Sequence, residues 1–175
     1  MSTRGRTAVA RIALALTALA ATSALTACAF PYDPEHTLEK VSGDALRVGI
    51  SENPPWTVWP DGAPETGQTD EAPEPAGIEV ELLTGFAQTL DAEVVWVAGS
   101  EADLMAQLEE GELDVVAAGL ESTTPWASHG ALTTSYAATR DDAGAEVRHV
   151  MATRAGENDF LVALETYLLD REVAP

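Results

Sequence analysis

Aromatic and acidic side chains concentrate in two short stretches that could bind a small molecule. The first, SENPPWTVW at residues 51–59, carries Trp56 and Trp59 beside two prolines, and the second spans residues 119–126 and ends on Trp126. Tryptophan offers a π face to a cation or a flat ring and one N–H to an acceptor. Prolines fix φ and reduce the entropy that a loop loses on binding. We expect the three tryptophans to line an exposed aromatic shelf, the alternative being that one or two of them pack against a sheet edge.

Candidates for catalysis are few. The chain has three histidines, His36, His129 and His149, and contains neither a G-x-S-x-G nor an H-E-x-x-H motif. No Cys, His or carboxylate recurs at the spacing of a metal site. We therefore expect no enzymatic activity, no bound metal and no cofactor.

The charge of the chain excludes one class of partner. Its 175 residues include 29 acidic and 9 basic side chains, which gives a formal charge of −20. Such a chain repels nucleic-acid phosphates, and no basic stripe offers a local exception. We expect no nucleic-acid partner.

The N-terminus is typical of an export signal. Three arginines, Arg4, Arg6 and Arg11, precede an apolar run at residues 12–24 that is too short for an ordinary membrane span. The run closes on Leu-Thr-Ala-Cys, ending at Cys28, which resembles the lipobox of bacterial lipoproteins. That resemblance implies cleavage after residue 27 and lipidation of Cys28.

We therefore predict a signal peptide at residues 1–27 and a protein held outside the cytoplasm by a lipid on Cys28. The alternatives are an ordinary cleavable signal or an uncleaved anchor. A single cysteine also excludes an intramolecular disulfide.

The rest of the chain is long enough for one domain. Residues 28–44 contain scattered prolines and charges without periodicity, which predicts a tether, with folding beginning near Leu46. Residues 45–175 are then a single lobe. Within it, residues 61–75 form an acidic, proline-rich segment, which we interpret as an exposed loop insertion.

Strands and helices alternate through the lobe. This order predicts an α/β fold in which a parallel or mixed sheet is flanked by helices, and it places ligand groups at the carboxyl ends of the strands. The stretches 51–59 and 119–126 both follow such ends, so we expect them to face one crevice. The pattern predicts strands at 46–50, 93–98 and 113–119, and helices at 78–90 and 101–110, the second capped by Ser100 and ended by Gly111.

The order of several motifs resembles the first lobe of the extracytoplasmic solute-binding proteins of bacterial family 3, the polar amino-acid type. The motifs are LRVGISENPPWTVW, GIEVELLTGFAQTLDAEVVWV and LMAQLEEGELDVVAAGLESTTPWASHGALTTSY, which together cover about residues 45–137. The resemblance implies one three-layer lobe of a type II periplasmic-binding-protein fold. It also implies a role in delivering small solutes to ABC importers or in sensing them.

Two departures from that family alter the expectation. The arginine that usually clamps an amino acid's carboxylate is replaced by Trp126, and Glu121 adds a negative charge nearby, which favours a neutral or cationic solute. Only residues 137–146 separate the first-lobe motifs from a return strand predicted at 148–153, too few for a second lobe. A helix beginning at Asn158 or Asp159 follows. A single lobe buries little of a ligand, so we expect weak affinity without a partner.

These observations predict a non-enzymatic, lipid-anchored solute-binding protein that works for, or together with, a membrane transporter. The rival hypothesis is a degenerate single-lobe lipoprotein that acts as an interaction or envelope-structural module without a solute. The predicted ligand-binding residues are Glu52, Asn53, Trp56, Glu79, Gly119, Glu121, Ser122, Thr123 and Trp126.

Overall fold

The computed structural model describes residues 33–60, 62, 64, 67–68, 74–171 and 173. The helices are α1 (Thr37–Val41), α2 (Ile78–Thr89), α3 (Glu101–Glu110) and α4 (Asn158–Leu169), and a 3-10 turn spans Pro125–Ser128. The strands are β1 (Ala45–Ile50), β2 (Gly67–Gln68), β3 (Glu93–Ala98), β4 (Val115–Ala117), β5 (Ala131–Leu132), β6 (Ala137–Arg140), β7 (Glu146–His149) and β8 (Ala152–Thr153).

A mixed sheet in the order β2-β3-β1-β4-β8-β5 organises these elements. The central strand β1 is parallel to both neighbours, with Val48 opposite Trp96 on β3 and Val115 on β4. The edge strand β2 runs antiparallel to β3, and β8 runs antiparallel both to β4 and to the other edge strand, β5. The α/β fold class is confirmed, and the carboxyl ends of β1, β3 and β4 meet at one edge of the sheet.

Two apolar clusters sandwich the sheet and make the lobe three layers thick. Strand β4 contributes to both, since Val115 belongs to the cluster of α2 and α4, whereas Val116 belongs to the cluster of α3. This alternation follows from the two-residue period of a strand. Phe86 and Phe160 pack edge to face in the first cluster, with ring centroids 5.9 Å apart.

The ends of α3 form as the sequence predicts. The Ser100 hydroxyl accepts the Asp103 N–H at 3.2 Å, which satisfies one of the unpaired donors at the helix start. Gly111 ends the helix in the left-handed region at φ 77°. Both signals fix the helix boundaries next to β4.

A hairpin follows the first-lobe motifs, in the interval where the sequence leaves too few residues for a second lobe. Strands β6 and β7 pair antiparallel from Ala137 opposite His149 to Arg140 opposite Glu146. The Asp141 and Gly144 amides close the turn between them by bonding to Ala145 and Asp141 carbonyls. The predicted strand at 148–153 is divided into β7 and β8, because the Val150 amide bonds instead to the Leu120 carbonyl at 2.9 Å.

The folded lobe begins earlier than the sequence suggests. Helix α1 lies within the predicted tether, yet Val41 is buried in the core. Glu157, at the start of α4, accepts hydrogen bonds from the Glu35 amide at 3.1 Å and from the Thr37 amide and hydroxyl at 3.2 and 2.8 Å. This buried carboxylate orders a helix too short to form alone.

Other predicted segments fall largely outside the described residues. Residues 1–27 and Cys28 do so completely, and most of the 61–75 segment does as well, although its residues 67–68 form β2 along β3. No helix in the described part of the chain is long and apolar enough to cross a membrane.

Replacing Glu157 should detach α1 from α4. Glu157→Ala leaves buried donors at Thr37 unpaired, and we expect unfolding free energy to fall by about 2–4 kcal/mol. Urea titration measures this loss, and hydrogen exchange at Val41 should accelerate. Asp170→Ala, at the exposed end of α4, is the control and should change neither the unfolding free energy nor the exchange at Val41. Equal effects of the two substitutions would show that Glu157 does not hold α1 in place.

Candidate functional site

A crevice of about 300 Å³ lies at the carboxyl ends of β1 and β4. The loop after β1 contributes Asn53, and the loop after β4 contributes Gly119, Glu121 and Thr123, so four of the predicted residues are brought together. The crevice is lined by Asn53, Glu101, Gly119, Leu120, Glu121, Thr123, Thr124 and Pro125.

The loop after β1 is held in place by its own polar groups. Asn53 donates from Nδ2 to the Ala118 carbonyl at 2.8 Å, and this bond joins the loop to the end of β4. The Asn53 amide bonds to the backbone and hydroxyl oxygens of Thr57, and the fully buried Thr57 hydroxyl donates to the Ser51 carbonyl. The loop is therefore ordered before any ligand arrives, which lowers the entropy cost of binding.

The loop after β4 turns at Gly119, where only glycine fits. Its φ is +60°, and an added Cβ would lie 2.5 Å from Cδ1 of Trp56 and 2.6 Å from Nδ2 of Asn53. Farther along, the Ser122 amide bonds to the Arg148 carbonyl at 2.8 Å, which fastens this loop to β7. Gly119 thus forms a backbone floor where the two loops touch.

Glu79 lies beneath this floor and does not line the crevice. Its carboxylate is fully buried, with Oε2 accepting the Gly119 amide at 2.8 Å and Oε1 accepting the Tyr136 hydroxyl at 2.7 Å. Burial raises the pKa of Glu79 to about 7, against the opposing effect of the two hydrogen bonds. Burial, together with the Glu79 charge, also raises the pKa of Tyr136. The predicted ligand contact is thus a support for Gly119.

The expected aromatic shelf does not form from Trp56 and Trp59, because both rings are buried in the core. Trp56 packs against His149 with centroids 4.0 Å apart and against Tyr136 edge to face at 5.8 Å. Tyr136, just before β6, and His149, at the end of β7, thus cover the ring. Burying so large an apolar surface stabilises the loop more than exposing it would.

Trp126 is partly exposed, and its indole N–H donates to Oε2 of Glu101 at 2.7 Å. Glu101 was not predicted as a site residue, since an acid in the first turn of a helix is explained by the helix dipole alone. Two further predicted residues, Glu52 and Ser122, are exposed but lie outside the crevice lining. The lining described here carries two acidic side chains, Glu101 and Glu121, and no basic one.

The buried acid predicts a pH dependence of stability. The folded protein holds the Glu79 proton more tightly than the unfolded chain does, so the contribution of this group is greatest below pH 4.5 and is lost as the pH rises to about 7. Relative to Glu79→Gln, the wild type should lose on the order of 3 kcal/mol across that window. Urea unfolding at a series of pH values measures it. Glu81→Gln, which changes an exposed side chain on the same helix, is the control and should follow the wild type. If the unfolding free energies of wild type and Glu79→Gln change with pH in the same way, Glu79 does not cause the pH dependence.

Comparison with solved structures identifies the fold. The arginine-bound form of domain 1 from TmArgBP, the T. maritima protein, has a TM-score of 0.59 and 22% identity, covering 76% of this chain and 98% of that chain. The ancestral cationic amino acid solute binding protein AncCDT-1 has a TM-score of 0.59 and 12% identity, covering 77% of this chain and 93% of that one. The lobe therefore has the fold of a type II periplasmic-binding-protein lobe.

Sequence comparison extends this result. Membrane-bound lytic murein transglycosylase F of Vibrio parahaemolyticus is 32% identical over 103 residues, and that of Vibrio campbellii is 30% identical over 103 residues. Each match covers 57% of this chain and 17% of the relative, so the chain spans about a sixth of the length of these curated relatives. The family description "Bacterial extracellular solute-binding proteins, family 3" matches residues 46–168. The chain therefore belongs to family 3 of the bacterial extracellular solute-binding proteins, as a single first lobe.

Proposed function

We propose that the crevice binds a small solute bearing an ammonium or guanidinium group, with a neutral solute as the weaker ligand. The supporting observation is the charge of the lining: Glu101 and Glu121 contribute carboxylates, and no basic side chain of the described residues faces them there. A cation between two carboxylates gains charge-assisted hydrogen bonds. An anionic solute would meet repulsion from both.

The polar groups around the two acids suit such a ligand. The Thr123 hydroxyl lies 3.5 Å from Oε2 of Glu121, and the Trp126 indole holds the Glu101 side chain at the crevice. Because Trp126 stands where the family carries its carboxylate-binding arginine, the lining provides no guanidinium for an amino acid's carboxylate. We therefore expect agmatine, which lacks that carboxylate, to bind more tightly than arginine.

A lone lobe is sufficient for this role in a similar protein. The TmArgBP structure is described as an arginine-bound form of domain 1, and AncCDT-1 is described as binding cationic amino acids. Both descriptions support a cationic ligand here. The family and fold are those of non-enzymatic binding proteins. The chain shares only part of its length with the transglycosylase relatives, which makes their activity a poor guide to this one.

Two further parts of the proposal concern the surroundings of the lobe. Its family is extracellular, and we propose that a lipid on Cys28 holds it at the membrane, where it presents its solute to a transporter. An open crevice supports the transporter role, since a partner surface could cover the exposed side of the ligand.

Calorimetric titration with agmatine, arginine and the neutral analogue citrulline tests the ligand. We expect agmatine to bind most tightly of the three. Glu101→Gln and Glu121→Gln should each weaken agmatine binding about three- to tenfold, because each removes one charge from the crevice. Glutamine at 101 can still accept the Trp126 N–H, so the Glu101→Gln change isolates charge from geometry.

Glu110→Gln is the control for Glu101→Gln, because it removes one charge from the exposed face of α3, the helix that carries Glu101. It should leave agmatine affinity unchanged. If citrulline binds as well as agmatine in every variant, charge recognition is wrong. If no solute binds and a membrane protein is recovered by cross-linking, the interaction hypothesis replaces the proposal.

Lipidation is tested separately in cells. Wild-type protein should incorporate an alkyne fatty acid and sediment with membranes, whereas Cys28→Ser should lose the label because the acylated thiol is gone. A labelled Cys28→Ser protein, or an unlabelled wild type, would contradict the lipid anchor. Wild-type protein that stays in membranes without the label would instead indicate an uncleaved anchor.

A further inference from the structure

A second cavity, of about 380 Å³, lies at the opposite edge of the sheet from the crevice. It is bounded by the first residue of β1, Ala45, by Asp114 just before β4, and by Arg154 just after β8. Because β8 runs antiparallel to β4, all three positions mark the amino ends of β1 and β4. The two cavities therefore occupy opposite ends of the lobe.

Basic residues are concentrated around this cavity. Of the six lysines and arginines that follow residue 28, three line it, namely Lys40, Arg47 and Arg154. Three acids also line it: Glu35, Asp44 and Asp114. The lining is therefore neutral overall, and in a chain whose formal charge is −20 it repels an anion less than an acidic surface does.

The three basic residues differ in whether their charge is already used. Arg47 is fully engaged, since it binds Asp114 through Nη2 at 2.6 Å and Nε at 3.1 Å and donates to the Gly111 carbonyl at 2.8 Å. The side chain of Arg154 donates no hydrogen bond to any of the described residues, and its only ionic neighbour there is Glu35. The Arg154 side chain is only 30% exposed and packs against Gly111, where an added Cβ would lie 3.1 Å from Cζ. A guanidinium with its donors unused is thus fixed beside the cavity.

The Glu35 carboxylate lies between the charged groups of Lys40 and Arg154 but hydrogen-bonds to neither of them. Its Oε2 lies 3.9 Å from Nζ of Lys40 and 4.0 Å from Nη1 of Arg154. Both distances are too long for hydrogen bonds, and all three side chains are at least partly exposed. The ion pairs of Glu35 with Lys40 and Arg154 are therefore weak, and water can hydrate the Glu35 carboxylate in their place.

We propose that this cavity binds a phosphate group, as inorganic phosphate or a phosphate monoester, through the guanidinium of Arg154 and the ammonium of Lys40. Arginine can bind phosphate through two parallel hydrogen bonds, which the present Glu35 contact lacks. A monocarboxylate would only replace what Glu35 supplies, whereas a phosphate monoester carries more charge and three free oxygens. Glu35 then acts as an internal competitor that the ligand displaces.

The phosphate could come from solution or from a lipid headgroup. Six residues lie between Cys28 and Glu35, and the seven steps from one to the other span at most about 25 Å. If Cys28 is lipidated as proposed above, membrane headgroups are a second source of phosphate. The two sources share one chemistry and need separate measurements.

Calorimetric titration of the full chain with inorganic phosphate and with glycerol 3-phosphate at low ionic strength tests the solution source. We expect Arg154→Gln to weaken binding at least about fivefold and Glu35→Gln to strengthen it about threefold. Arg171→Gln is the control, because it removes the same charge just after α4, outside the cavity. It should leave the affinity for inorganic phosphate and for glycerol 3-phosphate unchanged. A general loss of stability would lower the phosphate affinity in both variants, whereas a binding site predicts a lower affinity in Arg154→Gln and a higher one in Glu35→Gln. Thermal melts monitor the stability of each variant.

Flotation with phosphatidylcholine vesicles, with and without phosphatidic acid, tests the lipid source. Binding that requires phosphatidic acid and falls in Arg154→Gln but not in Arg171→Gln supports a headgroup, even where free phosphate does not bind. Comparison among variants cancels any contribution of the apolar N-terminal run. The proposal is overturned if neither form of phosphate binds, or if Arg154→Gln and Arg171→Gln weaken binding equally.

Discussion

The carboxylate of Glu79 joins three distant parts of the chain at one buried point. It lies in the first turn of α2 and accepts hydrogen bonds from Gly119, forty residues away, and from Tyr136, fifty-seven residues away. Burying a charge without such partners would be prohibitive, and both of its oxygens are satisfied. The floor of the crevice is the Gly119 backbone, so the geometry of the crevice depends on this acid even though no ligand reaches it.

The parallel strands also separate the two ends of the lobe by chemical character. The crevice at the carboxyl ends is lined by acids without a basic residue, while the cavity at the amino ends combines three of the few basic residues with three acids. The six residues of β1 extend over roughly 20 Å, and at physiological salt the Debye length is about 8 Å. Charges at one end are thus largely screened from the other, so the two proposed sites, one for a cation and one for an anion, are compatible in a strongly acidic chain.

Local patterns in the sequence were enough to predict the layers of the fold, and long-range contacts account for what they missed. The Ser100 cap and the Gly111 stop depend on neighbours within one turn, so both could be inferred from residue types alone. The short interval before the return segment likewise predicted a single lobe. Helix α1 was missed because the acid that orders it, Glu157, lies 120 residues from Thr37. No periodicity within five residues reveals such a partner.

The candidate site was predicted in its location but less well in its details. The loops after β1 and β4 meet because parallel strands end together, which follows from topology. The orientation of Trp56 depends on His149 and Tyr136, so residue types alone left both an exposed and a packed ring open. Glu residues are rarely enclosed, so the buried Glu79 was not anticipated. Glu101 was overlooked because its interaction with Trp126 crosses between two elements.

A single lobe must obtain selectivity differently from a protein that closes around its ligand. One side of the crevice remains open, so apolar burial contributes little and bound solute should dissociate quickly. What the lobe offers instead is a loop fixed by Asn53 and Thr57 and a pair of acids in defined positions. Order in the free protein lowers the entropy cost of binding, and under the proposed function charge then decides which solute stays. Because those charges are exposed to solvent, we expect salt to weaken recognition here more than it would inside a closed cleft.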